Sequence, residues 1–189
     1  MKFQLLLSGR IPSGNKSVNP DFAKRIRLQI HDQLQSLWQS LPLSEYSKWK
    51  DYDEYSDVSW EGCCVFPILD VRHIALINSR NFAAARLDIH FYDPEGGLNL
   101  KSEVVDVDNR LKVLFDALQI PQNNRHIPDG IERLHTLLEN DRFIWDVSVQ
   151  RHRLLRKIED SDFFTQIIVE FIPQRVVIGN LSLFGVEAH

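Results

Sequence analysis

The segment from 106 to 118, with the sequence DVDNRLKVLFDAL, constrains the fold of this 189-residue chain more than any other. Its apolar residues recur at intervals of three and four, which predicts a helix over 108–118 with one buried stripe. The residues of the stripe are Leu111, Leu114, Phe115 and Leu118. Polar side chains at Asp108, Lys112 and Asp116 then lie one turn apart beside the stripe. The helix therefore starts with a cluster of carboxylates and an amine.

Two interpretations of this cluster remain open from the residues alone. Asp106 ends an extended stretch two residues before Asp108, so both carboxylates can point toward one metal ion. The alternative is ordinary helix chemistry, in which Asp108 and Asn109 cap the first turn. Asp116 fits a surface ion pair with Lys112 better than a catalytic role.

Two further segments bear on this choice. The segment LLENDRFIWD at 137–146 places acids directly before a β-rich stretch, and IPSGNK at 11–16 forms a loop after the first apolar run. The chain resembles the RusA-like Holliday-junction resolvases, a family of small endonucleases. The resemblance lies in the pattern D-x-D-N-x-x-K-x-x-x-D-x-L at the helix and in the order of the three segments. The resemblance covers the start of the chain and most of 84–173.

The resemblance implies a Mg²⁺-dependent endonuclease, with Mn²⁺ as a substitute, that cuts branched DNA in recombination and repair. By that resemblance Asp106, Asp108 and Asp141 are the metal ligands and should converge, Lys112 is a catalytic cation, and Asn109 orients a ligand or caps the helix. The family works as a homodimer, whose two-fold symmetry suits a four-way junction. A rival expectation is a non-catalytic DNA-binding or protein-interaction homologue of the same fold.

The charge of the chain restricts how it can contact DNA. The formal net charge is −4, so a broadly basic surface is excluded and any DNA contact must be local. Basic residues cluster on an early helix and after a late strand, and either cluster can also be an ordinary solvated face. The candidate DNA-binding residues are Lys16, Lys24, Arg27, Arg151, Arg153, Arg156 and Lys157.

Other classes of site have little support in the sequence. The seven histidines form no H-x-x-x-H or H-E-x-x-H pattern, and the P-loop and G-x-S-x-G motifs are absent. The adjacent Cys63 and Cys64 have no C-x-x-C spacing and are expected to be buried thiols. The apolar run at the N-terminus is too short for a signal peptide, so we expect a cytoplasmic protein.

Apolar periodicity predicts a single α+β domain over 1–189, with a mixed β-sheet flanked by helices. Strands are expected at 2–7, 63–77, 84–92, 143–150 and 163–173, and helices at 20–38, 108–118 and 129–138. Two longer segments, about 38–62 and about 119–138, are read as an insertion and an extension. The aromatic residues at 49–60 either stack on exposed bases or, as we expect, pack on the core. The last two strands are expected to form a hairpin that presents the basic residues of 151–157.

Overall fold

A four-stranded mixed sheet lies at the centre of the fold, in a computed structural model that describes residues 1–12, 20–50, 63–93, 107–154 and 163–184. Its strands follow the order β1–β7–β4–β6. Their bounds are β1 Lys2–Ser8, β4 Ala83–Asp93, β6 Ile144–Arg153 and β7 Phe164–Pro173. Burial alternates along β7, from Thr165 to Phe171, because one face of the sheet covers the core and the other faces solvent.

A second, three-stranded sheet has the order β2–β3–β5. Its strands are β2 Val65–Ile68, β3 Val71–Ile77 and β5 Arg133–Leu138. The strands β2 and β3 form a tight hairpin, whose turn residues Leu69 and Asp70 have φ angles of 55° and 60°. The pairing of β3 with β5 is parallel, and both strands are almost entirely buried, as is typical of parallel strands.

The helices are α1 Pro20–Leu37, the short α2 Ser47–Lys50 and α3 Val107–Leu118. The two long helices, α1 and α3, contribute buried residues to the core that the sheets cover. The helix α1 starts at Pro20, as the sequence predicts, and buries Ile26, Ile30 and Leu34. Trp49, from the predicted insertion, packs on the core as expected. No helix in the described ranges is long and apolar enough to cross a membrane.

The unit β4–α3–β6 fixes the direction of the candidate catalytic helix. Because β4 and β6 are parallel, the chain between them, which contains α3 and β5, must return along the sheet. The guanidinium of Arg110, near the start of α3, lies 4.4 Å from the ring centre of Phe91 near the end of β4. The start of α3 is therefore at the same end of the sheet as the C-terminal ends of β4 and β6.

The α+β class is as predicted, but the strands form two sheets rather than the single mixed sheet expected, and two local predictions are wrong. The segment 129–138 contains strand β5 rather than a helix. Strands β6 and β7 do not form a hairpin, because β4 lies between them and pairs with both. A run as short as the six residues of β5 does not show a periodicity that separates a buried strand from a helix, and strand order depends on contacts distant in sequence.

Candidate active site on helix α3

The first turns of α3 expose the polar cluster that the sequence singled out. The side chains of Asp108 and Lys112 are both exposed, while the opposite side of the helix buries Val113, Leu114 and Leu118. The helix is thus confirmed. Of its predicted stripe, Leu114 and Leu118 are buried, whereas Leu111 and Phe115 are partly buried against the core. Asn109 lies inside the first turn of α3 rather than before it. Asp106 directly precedes α3 and lies outside the described residues.

Arg110 is a functional candidate that the sequence interpretation missed. Its side chain is 2% exposed and packs over the ring of Phe91 beneath the start of α3. A buried cation here lies two residues from Asp108 and four residues from Asp106 in the chain, so it favours negative charge at this end of the helix. The signal was available, because residue 110 shares the helix face of Val113 and Ala117.

Asp141 is held at the other end of α3. Its backbone amide donates to Oε1 of Gln119, directly after the helix, at 3.0 Å. The same Gln119 side chain donates through Nε2 to Oδ1 of Asp116 at 3.3 Å. Asn140 caps the short 3₁₀ turn that carries Asp141, by accepting from the amide of Arg142. Asp116 is thus bonded to Gln119 rather than paired with Lys112 as expected.

The expected convergence of Asp108 and Asp141 depends on this geometry. Gln119 lies 11 residues beyond Asp108, which corresponds to about 16 Å along a helix at 1.5 Å per residue. Strand geometry agrees, because Asp141 precedes β6 whereas α3 begins near the ends of β4 and β6. Within one chain, Asp108 and Asp141 are thus anchored at opposite ends of α3, so the prediction that these two carboxylates converge is wrong.

Within the described part of one chain, these residues do not form a complete Mg²⁺ site. Mg²⁺ prefers hard oxygen ligands and keeps several waters, so exposed carboxylates such as Asp108 and Asp141 have the right chemistry. Across the described ranges, however, no three His, Cys, Asp or Glu side chains form a group that could hold a metal ion. Asp106, which would pair with Asp108 at such a site, lies outside those ranges.

The basic candidates fall into different environments. Arg151 and Arg153 are exposed near the C-terminal end of β6, where they pair in register with Phe91 and Asp93 of β4. They therefore lie at the same end of the sheet as Asp108. Lys24 forms an ion pair with Asp129 at 2.8 Å. The remaining candidates, Lys16, Arg156 and Lys157, lie outside the described residues.

The prediction that Arg27 binds DNA is wrong. Its side chain is 3% exposed and donates to the backbone carbonyls of Asp116 and His126. Burial lowers the pKa of Arg27 to about 10, which still leaves the group charged at neutral pH. The guanidinium joins α1 to the end of α3 through these two carbonyl groups.

A chain of polar and aromatic side chains crosses the solvent face of the four-stranded sheet. Nδ1 of His90 lies 2.8 Å from Nε2 of His152, and Nε2 of His90 lies 3.1 Å from the carboxylate of Asp88. Tyr92 stacks on His152 and on Phe164, with ring centres 4.7 and 4.2 Å apart. The alternation of Asp88, His90 and Tyr92 along one strand was the available signal.

Two other histidines are held neutral by burial. Burial lowers the pKa of His73 and of His135 to about 4. Nδ1 of His31 accepts from the backbone amide of His135 at 3.0 Å, so that nitrogen carries no proton. The thiols of Cys63 and Cys64 are buried as expected, and burial raises the pKa of Cys64 to about 12. These groups stabilise the fold.

Comparisons with protein-family models, with curated proteins and with solved structures find no match to this chain.

Proposed function

We propose that this protein is a Mg²⁺-dependent, structure-selective DNA endonuclease that cuts branched DNA such as four-way junctions. One observation carries the proposal: α3 exposes Asp108 and Lys112 one turn apart while its other side is buried, so neither side chain serves packing. The buried guanidinium of Arg110 beneath them favours carboxylates at this position. The cellular process would be recombination or repair, in the cytoplasm.

The proposed chemistry assigns a role to each polar group. A bound Mg²⁺ or Mn²⁺ would supply charge neutralisation at the scissile phosphate and a more acidic water. By the resemblance, Asp106, Asp108 and Asp141 would hold the ion through carboxylate oxygens. Within one chain only Asp106 and Asp108 would do so at the start of α3, because Asp141 is anchored at the other end of that helix. Lys112 would donate to a phosphate oxygen and stabilise the negative charge that develops there.

The position of the basic residues supports a DNA surface at this end of the sheet. Arg151 and Arg153 lie at the C-terminal end of β6, beside the C-terminal end of the parallel strand β4. The helix α3 begins at the same end of the sheet. A chain with a net charge of −4 needs such a local concentration of cations to bind a polyanion. A strand of DNA lying across the ends of β4 and β6 would then pass the start of α3.

A specific observation favours a second candidate, a DNA-binding or protein-interaction homologue without catalysis. Within one chain the anchor of Asp141 is about 16 Å along α3 from Asp108, at the helical rise of 1.5 Å per residue. A site with only Asp106 and Asp108 holds fewer protein ligands than the endonuclease proposal requires.

Cleavage of a panel of labelled DNAs separates the two candidates. The purified protein is incubated with four-way junction, flap and duplex DNA of matched sequence, in Mg²⁺ or in EDTA. The endonuclease proposal predicts cuts in the junction with Mg²⁺ only. Binding to the junction without cleavage in Mg²⁺ or Mn²⁺ would support the non-catalytic candidate.

A further inference from the structure

We infer that Arg10 and Arg25 form a phosphate-binding site, which takes a phosphate group of a DNA strand at the end of the sheet where α3 begins. The source of the phosphate rests on the proposed function, whereas the affinity for a phosphate group does not. Three observations carry the inference: the contact of Arg25 with Gly9, the absence of acidic partners in the described part of the chain, and the position relative to α3.

The side chain of Arg25 lies directly against the backbone of Gly9. Its Nη2 atom is 2.9 Å from the position that a Cβ atom would occupy at residue 9, so any side chain there would displace the guanidinium. Gly9 has a φ angle of +96°, and its amide donates to the carbonyl of Phe163 at 2.6 Å. The guanidinium of Arg25 therefore lies beside the chain at the residue directly before Arg10.

Both guanidinium groups are supported by aromatic rings. The Cζ atom of Arg10 lies 5.6 Å from the ring centre of Phe163, and that of Arg25 lies 5.2 Å from the ring centre of Phe22. A guanidinium over a ring face keeps the N–H donors at its edge for other groups, and its planar fork matches the oxygens of a phosphate. The rings thus hold the two cations in place without neutralising them.

Neither of these two exposed arginines forms an ion pair with a carboxylate among the residues that the structure describes. Three other cations are paired with acids: Lys24 with Asp129, Arg86 with Asp146, and Arg142 with Glu139. Two unpaired cations beside one glycine repel each other, and an anion between them removes that repulsion. A phosphate group fits, because its oxygens accept from both forks.

Strand register places this site at the same end of the sheet as the start of α3. The row of paired residues at this end is Ser8, Phe164, Tyr92 and His152, one from each strand. Ser8 directly precedes Gly9. The helix α3 begins near the end of β4, the strand that carries Tyr92. The start of α3 therefore lies between the β1 end and the β6 end of this row.

The spacing of the strands gives the distance between the sites. At about 4.8 Å between neighbouring strands, the end of β1 lies about 10 Å from the end of β4 and about 14 Å from the end of β6. At about 3.4 Å per nucleotide of one DNA strand, 10 Å corresponds to about three nucleotides. One strand can thus contact Arg10 and Arg25 about three nucleotides from the start of α3, with Arg151 and Arg153 on the other side.

Titration with inorganic pyrophosphate in EDTA tests the site without DNA and without a metal ion. Nuclear magnetic resonance follows the Nε–H signals of the arginine side chains. Those of Arg10 and Arg25 should shift at lower pyrophosphate concentrations than those of Arg72 and Arg125, which are exposed cations elsewhere. The double variant Arg10→Gln with Arg25→Gln should bind pyrophosphate about tenfold more weakly. An equal response of all four arginines, or unchanged affinity in the double variant, would overturn the site.

Junction binding in EDTA tests whether the phosphate belongs to DNA. The double Gln variant should lower the slope of log K against log salt by about 1–2, because each lost phosphate contact lowers it by about 0.9. Arg72→Gln with Arg125→Gln is the matched control and should keep the wild-type slope. Arg10→Lys with Arg25→Lys should keep the slope but weaken binding, since lysine has the charge without the fork. An unchanged slope in the first variant would overturn the inference.

Replacement of single phosphates in the junction by uncharged methylphosphonate locates the contact. At one position, about three nucleotides from the cut, the replacement should weaken binding by the wild type but not by the double Gln variant. Such a position in a junction that is never cut in Mg²⁺ would retain this inference and reject the endonuclease. Cleavage by the wild type without any such position would retain the endonuclease and reject this inference.

Discussion

The backbone amide of Asp141 donates to Oε1 of Gln119 at 3.0 Å, and this bond ties the last acid of the candidate site to the C-terminal end of α3. Gln119 is 9% exposed and also bonds Asp116, so it joins the turn of Asp141 to the end of the helix. The position of Asp141 is therefore set by a residue that no catalytic motif contains.

Gln119→Ala should lower both stability and cleavage. The amide of Asp141 loses its acceptor, which costs about 1–2 kcal/mol of the free energy of unfolding, and the carboxylate is no longer held in place. Urea denaturation and junction cleavage measure the two effects. The control is Gln122→Ala, an exposed glutamine whose side chain bonds only the nearby carbonyl of Ile120. Equal effects of both variants would show that the Gln119 bond does not position Asp141.

Arg27→Met should destabilise the fold and leave junction affinity unchanged in the folded protein. The carbonyls of Asp116 and His126 lose a charged donor, a loss of about 2–4 kcal/mol in the free energy of unfolding. Arg25→Met, at an exposed position of the same helix, is the control and should change stability little. A stable Arg27→Met protein with weakened DNA binding would restore the original assignment of Arg27.

Stability should fall as the pH is lowered from about 6.5 to about 4. Burial lowers the folded-state pKa of His73 and His135 to about 4, so over this range the unfolded chain binds more protons than the folded chain. Their stabilising effect is complete above the unfolded pKa and is lost on acidification. Urea unfolding at several pH values measures it, and His135→Gln should flatten the profile. An unchanged profile would contradict the buried neutral state of His135.

Arg151→Ala combined with Arg153→Ala should weaken junction binding and reduce its salt dependence. Each lost phosphate contact lowers the slope of log K against log salt by about 0.9, so a decrease of about 1–2 is expected. Arg72→Ala combined with Arg125→Ala removes the same charge from exposed sites outside β6 and serves as the control. An unchanged slope in the β6 variant would place the DNA surface elsewhere.

The sequence was sufficient where local periodicity decides the structure. The helix α3, the start of α1 at Pro20 and the presence of strand β7 are all visible within a dozen residues. Prediction from the sequence failed where contacts between residues distant in the chain decide the structure. Arg27 looked like a surface cation because its acceptors, the carbonyls of Asp116 and His126, are about 90 residues away or more in the chain.

At the candidate site, too, the sequence predicted the local features but not those that depend on distant contacts. The exposure of Asp108 and Lys112 followed from their spacing on one helix. The position of Asp141 did not, because it depends on the parallel pairing of β4 with β6 and on the resulting direction of α3 between them. No local pattern records that topology.

Replacement of Asp108 by Asn, with junction cleavage and junction affinity measured on the same preparation, tests the central claim most directly. The variant should lose Mg²⁺-dependent cleavage while it binds the junction as tightly as the wild type or more tightly, because removal of a negative charge reduces repulsion from phosphate. Asp21→Asn, at an exposed acid in the first turn of α1, should cut as the wild type does. Cleavage by Asp108→Asn at the wild-type rate would contradict the assignment of α3 as the catalytic helix.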